Sequence, residues 1–236
     1  MKLFLILGIA IAFPCLVLSD NCHSSEFCKC VDIALDWLDT LDKGSIPVTE
    51  NEVETMCTEL EKAFTCADKF IDACVTPLQK ELIALTTEGL QDFRHKFCAK
   101  GSPLAAKYIA HAPCLNKVSQ MKEVREGMLY LLAAVEKFKE VPDDKKVTYA
   151  CCAYGKIHHD SLDLLKNNCD EATVQTDKEF TEMIFGQLPE VICNGFTGKE
   201  EKCKAVLPPP GSTPSESLKG TEVYTLLKRV FRNWIE

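Results

Sequence analysis

The chain has 236 residues, 46% of them apolar, with 35 acidic against 27 basic side chains and a formal charge of −8. That is enough apolar material for a cored domain, and the acidic balance excludes the basic surfaces that hold nucleic acid or attach to anionic membranes by charge alone. Its 14 cysteines point to an oxidising compartment, where such density reads as a disulfide framework.

Met1-Lys2 and the apolar run Leu3 to Leu18 form the pattern of a secretory signal peptide. Val17 and Ser19 suit the −3 and −1 positions, so residues 1–19 are expected to be removed and the protein to be secreted and extracellular. Loss of Cys15 and Lys2 leaves 13 cysteines, and 26 basic against 35 acidic residues, a charge of −9. No later stretch approaches the ~20 apolar residues of a bilayer span, so no transmembrane segment is expected. No Asn-x-Ser/Thr acceptor occurs either.

Helix starts follow in order. Thr49-Glu50-Asn51-Glu52 and Thr76-Pro77-Leu78-Gln79 have capping-box spacing, the second with proline at the first helical position. Ser102-Pro103 opens a helix after a stop at Gly101, and Thr176-Asp177-Lys178-Glu179 and Thr197-Gly198-Lys199-Glu200 repeat the box. Apolar residues recur at helical steps behind these starts. One stripe is Val53, Met56, Cys57, Leu60, Phe64, Ala67, Ile71 and Cys74; the next is Leu78, Leu82, Leu85, Leu90, Phe93 and Phe97. Another runs from Met121 through Leu131 to Phe138, and a fourth joins Val147, Cys151, Tyr154, His158, Leu162 and Leu165. Strand-like alternation is absent. The expected fold is all-α: a disulfide-stapled bundle of about seven helices plus a C-terminal amphipathic helix.

The structural disulfide candidates are Cys22, Cys28, Cys30, Cys57, Cys66, Cys74, Cys98, Cys114, Cys151, Cys152, Cys169, Cys193 and Cys203. At the helical rise, Cys57 and Cys66 stand about 13 Å apart, and Cys66 and Cys74 about 12 Å. A disulfide needs Cα atoms within about 7 Å, so none of the three pairs with another while the helix is intact. Cys57 and Cys66 also face opposite sides, which places their helix between partners, near the bundle centre. Adjacent Cys151 and Cys152 point to two different partners. Which cysteines join is open from spacing. Thirteen is odd, so one thiol stays buried, is capped by a small thiol, or links a disulfide-bonded dimer.

Residues 20–204 thus form the disulfide-rich domain. Ala205 to Gly220, with Pro208-Pro209-Pro210-Gly211, reads as a semi-rigid linker. Residues 221–236 form the terminal helix, whose Val223, Leu227, Val230, Phe231 and Trp234 share one face, with Lys228, Arg229 and Arg232 elsewhere. Leu227, Val230, Phe231 and Trp234 are candidates for a partner or membrane contact, the alternative being that this face docks on the bundle. Every cysteine precedes residue 205, so deleting 205–236 is expected to leave the bundle folded.

Candidate chemistry is sparse. Cys151-Cys152 with His159-Asp160 is similar to the double cysteine and His-Asp pair of secreted phospholipases A2. There the pair follows after two residues, here after six, and the glycine-rich calcium loop is missing. His158, His159, Asp160 and Asp163 offer metal-ligand types, but adjacent histidines on a helix diverge by about 100°. No nucleophile elbow, phosphate loop, dinucleotide fingerprint, zinc-protease motif or EF-hand loop occurs. No catalytic, metal or cofactor-binding set is therefore expected, and no cofactor.

Phe70-Ile71-Asp72-Ala73-Cys74, Asp92 through Lys100 and Pro113-Cys114-Leu115 resemble the arthropod 27 kDa haemolymph glycoproteins. Those are secreted, cysteine-rich helical proteins of similar size without a defined catalytic site. Cysteine-rich arthropod venom and salivary proteins are also similar. The resemblance implies a non-enzymatic protein of body fluid. Stapled helices can enclose an apolar cavity and the 221–236 helix would suit a lid, so the expectation is a carrier with an apolar small molecule as a candidate partner. The competing expectation is a toxin or effector that meets an extracellular receptor or channel.

Overall fold

The computed structural model describes residues 22, 24–39, 45–185, 192–215, 226 and 229. The signal segment and most of the terminal helix, including Leu227, Val230, Phe231 and Trp234, lie outside the described residues.

The chain folds all-α, with no strand among the described residues. The helices with bounds among the described residues are, in order, α1 Ser24–Asp39, α2 Glu50–Cys74, α3 Pro77–Asp92, α4 Pro103–Ser119, α5 Lys122–Phe138, α6 Lys146–Asn168, α7 Glu171–Phe185 and the short α8 Glu201–Val206. The first three starts form as expected. Thr49 accepts from the Glu52 amide while the Glu52 carboxylate takes the Thr49 and Val48 amides at 2.9 and 2.8 Å. Thr76 and Gln79 repeat the exchange, and Ser102 caps α4 ahead of Pro103. The Ser102 hydroxyl donates to the Lys96 carbonyl at 2.7 Å, fastening the start of α4 to the turn before it.

The two later starts differ. Thr176 is 1% exposed and lies inside α7, which begins at Glu171. Asp170 receives the Thr173 amide at 2.7 Å, so the first-turn donors are satisfied six residues before the box at Thr176. Thr197 and Glu200 do bond, at 2.8 Å from the Thr197 amide and 2.6 Å from its hydroxyl, yet α8 starts only at Glu201. Gly198, at φ 76°, keeps the intervening chain out of the helical region.

The core lies among α2, α3, α4 and α7. After Asp92, α3 widens into a π-helical turn, Phe93–Phe97, that turns both phenylalanines inward. Their rings stack at 4.5 Å, and Phe97 meets Tyr108 and Phe180 edge-on at 5.6 and 5.4 Å. The Tyr108 hydroxyl donates to the Pro47 carbonyl at 2.8 Å, and the Ile46 amide donates to Asn116 Oδ1 at 2.7 Å. These two bonds hold the segment before α2 across α4. On the outer side of the same turn, Arg94 reaches Glu61 and Asp68 of α2 and stands 5.1 Å from the Phe64 ring centroid.

Six disulfides staple the helices. Cys22–Cys74 and Cys30–Cys66 join α1 to α2, and Cys57–Cys98 joins α2 to the π turn. Cys114–Cys169 ties α4 to the entry of α7, while Cys151–Cys193 and Cys152–Cys203 pin residues 193 and 203 onto α6. The helix-spacing argument holds: Cys57, Cys66 and Cys74 pair outside α2, and partners flank it on two sides. It is less central than expected, because only Val53 and Met56 near its start are buried in it. Cys28, half-buried on α1, takes part in none of the six bonds.

Two apolar stripes are displaced. On α6, Cys151 and Leu165 of the expected stripe are buried, but Val147 is 65% exposed and Tyr149, Cys152, Gly155 and Ile157 join the buried arc. The two adjacent bridges set that arc, and Gly155 lets the Phe196 backbone lie directly on the helix. On α3, Leu78 and Leu85 are each 73% exposed, whereas Ile83 and Leu90 are buried.

The stretch read as a linker begins inside α8, and its described part is seated on the bundle. Leu207 packs with Tyr149, Cys152 and Cys203, the buried Tyr130 hydroxyl donates to the Pro208 carbonyl at 2.9 Å, and the Ser215 amide donates to Glu136 at 3.0 Å. Deletion from residue 205 therefore exposes the α5–α6 surface. A chain ending at Lys204 is expected to be less stable than one ending at Ser215 by about 3 kcal/mol, roughly 2 for Leu207 burial and 1 for the tyrosine bond. Urea unfolding of the two truncations checks this, since residues 216–236 are missing from both.

Candidate functional site

The histidine-rich face of α6 is the first place where chemistry could assemble. Tyr154 and His158 stack at 5.6 Å, and His159 meets His158 edge-on at 5.8 Å. The carboxylates expected beside them are engaged elsewhere. Asp160 accepts from Lys156 at 2.7 Å, and Asp163 from Lys199 at 3.3 Å. Lys156 also stands 5.1 Å from the Tyr130 ring centroid. Burial, then the nearby Asp160 charge, pushes the Tyr130 hydroxyl up to about 12. The face is thus a chain of aromatic and ion-pair contacts. Among the described residues, no group of three or more His, Cys, Asp or Glu side chains is arranged to hold a metal ion.

A second polar cluster, missed in the sequence, lies between α4 and α7. His111 Nδ1 is 3.0 Å from the Thr173 hydroxyl, and Thr173 is 2% exposed. Asp170, held below the usual carboxylate range first by the Thr173 amide and then by its hydroxyl, closes the line. Lys107 and Glu179 form an ion pair across the same two helices. The available signal was an Asp-x-x-Thr start at Asp170, but nothing local placed His111 opposite it. The cluster fixes the α4–α7 register near Cys114–Cys169.

The loop ahead of α8 holds the most perturbed carboxyl. The Thr197 hydroxyl, then the Thr197 and Glu200 amides, hold Glu200 down to about 2. A depressed carboxyl binds protons more readily in the unfolded chain, so its contribution is complete above the unfolded value near 4.5 and declines as pH falls toward 2. Glu200→Gln is expected to flatten the acid limb of the stability curve within that window and to leave its slope near pH 7 unchanged. Thermal melts from pH 2 to 7 test it.

The remaining feature is the outer edge of α3. Leu78 and Leu85, seven residues apart on one side of the helix, are the two most exposed large apolar side chains among the described residues. Glu81 and Glu88 sit three residues after each, both exposed, and make no ion pair or hydrogen bond among the described residues. This edge was read as core in the sequence. Periodicity identified the apolar arc correctly, but the arc is wider than the neighbour that covers it.

No family model, curated protein or solved structure matches this chain. The functional reading therefore rests on geometry and composition. Six disulfides fit an extracellular protein. No described helix is long and apolar enough to cross a membrane. Of the terminal helix, Leu226 is fully buried and Arg229 half-buried.

Proposed function

We propose that this chain is a secreted, non-enzymatic extracellular binding protein that works through its surface. The disulfide-stapled helical bundle supplies a rigid frame, and the resemblance over Phe70 to Leu115 implies an arthropod body fluid as its setting. The observation that carries the reading is the filled interior. Phe97, Tyr108 and Phe180, each at most 2% exposed, occupy the centre of the described core with their rings in mutual edge contact. A carrier that swallows an apolar molecule needs a cavity of several hundred Å³. Edge-packed rings at 5.4 to 5.9 Å leave the middle of the bundle to side chains.

A second reading, a carrier for an apolar small molecule beneath the terminal helix, has one observation in its favour: Leu226 has no exposed surface. Leu226 lies against protein, as a residue under a lid would. Native mass spectrometry of the secreted protein separates the two readings. The surface-binding protein is expected at its bare chain mass. A co-purified apolar mass that leaves only on denaturation would restore the carrier, and turnover dependent on His159 would overturn the non-enzymatic assignment.

A further inference from the structure

Surface binding needs a surface, and α3 offers one. Written in heptads, Leu78 and Leu85 take successive d positions, and Glu81 and Glu88 fall at g. Gly89 is the next a position. A Cβ there would lie 2.0 Å from the Met183 carbonyl oxygen and 2.8 Å from that of Ile184, so α7 occupies this turn of the seam at backbone contact. Back along α3 from that contact, Leu85 and Leu78 are each 73% exposed.

We propose that this seam docks an amphipathic helix from a partner protein, apolar at its own a and d positions and basic along the flank that faces Glu81 and Glu88. The occupant would extend the path of α7 along α3. Charge selects the partner. Two carboxylates with no cation beside them among the described residues line the open side, and paired flank charges set partner choice in helical seams. A second copy of this chain fits poorly: antiparallel pairing sets glutamate against glutamate, and parallel pairing offers no basic residue at e positions 79, 86 and 93. An anionic lipid surface is repelled by the same carboxylates. The proposal rests on the surface-binding reading. That reading survives its failure, because a bare chain mass by mass spectrometry is independent of what α3 binds.

The test uses the secreted full-length protein and a fluorescein-labelled 21-residue peptide with Leu at a and d and Lys at e and g, read by anisotropy at 50 and 200 mM salt. A scrambled peptide of equal composition is the control. Saturable binding of the ordered peptide is expected, at least tenfold tighter than the scrambled one. Leu78→Ser with Leu85→Ser should weaken it at least tenfold, since both side chains are exposed and the fold does not depend on them. Glu81→Lys with Glu88→Lys should weaken it and reduce its salt dependence, whereas Glu54→Lys, on exposed α2 surface, should change it less than twofold. Equal binding of both peptides, or indifference to the two leucines, would overturn the proposal. A tenfold gain in affinity on ending the chain at Ser215 would also overturn it, by making residues 216–236 the occupant. So would a dimer abolished by Leu85→Ser, which would make the occupant a second copy.

Discussion

Gly89→Ala is expected to destabilise the protein by about 3 kcal/mol, at the upper end of overpacking costs. On helix propensity alone the change is favourable, because alanine is better than glycine inside a helix by about 1 kcal/mol. Packing reverses the sign. The new methyl would sit 2.0 Å from the Met183 carbonyl oxygen and 2.8 Å from that of Ile184. These are backbone atoms in a helix, so no rotamer change relieves the clash. Either α3 and α7 move apart or the last turn of α7 deforms, and both disturb Phe180 and Ile184 in the core. Gly127→Ala provides the matched control. Gly127 is an exposed residue of α5 with nothing within 4 Å of the added Cβ, so the same substitution should stabilise by about 0.5–1 kcal/mol. Denaturant midpoints of the two variants should therefore move in opposite directions. Parallel shifts would mean that α3 and α7 do not meet at Gly89.

Replacing Cys114 and Cys169 together by serine is expected to cost about 4 kcal/mol, the chain-entropy value for closing so long a loop. The bond spans 55 residues and connects the middle of α4 to the residue before the α7 cap. Its loss should loosen the His111–Thr173–Asp170 line, because Asp170 follows directly on Cys169. The Cys22–Cys74 bond closes a loop of similar length, 52 residues, but it fastens the chain just before α1 to the end of α2, away from the main aromatic cluster. Similar equilibrium losses are expected from the two removals. Hydrogen exchange should separate them, opening α7 amides in the first case and α1 amides in the second.

What could be read from the sequence was whatever is decided within one helix. The rise per residue already forbade bonds among Cys57, Cys66 and Cys74, and the cap pairs at Thr49 and Thr76 are four-residue events. What could not be read depends on how far a neighbour reaches. Leu78 and Leu85 obey the periodicity of a buried face, but burial requires a second helix across from them. On α6 the arc was misplaced because the cysteines were counted as ordinary apolar residues, although Cys151 and Cys152 must aim at two separate partners. Proline-rich composition suggested a linker. The Pro208 carbonyl is instead the acceptor that the buried Tyr130 hydroxyl needs, a demand set 78 residues away. Of the candidate site, the leucines were legible as members of an apolar stripe, but their exposure was not, because it depends on where the neighbouring helix ends its contact.

The six bonds also divide the oxidised chain in a particular way. Each joins two cysteines at or before Cys98, or two at or after Cys114. Between these sets lies the exposed turn Ala99-Lys100-Gly101, with Gly101 at φ 68°. A single protease cut after Lys100 would leave two cross-linked islands with no covalent connection. They would be held by Phe97 against Tyr108 and Phe180 and by the α3–α7 contact. In contrast, a cut in the loop between α4 and α5, or between Cys193 and Cys203, releases nothing until the protein is reduced. A nick at this tripeptide therefore turns an intramolecular core into an interface between separable halves.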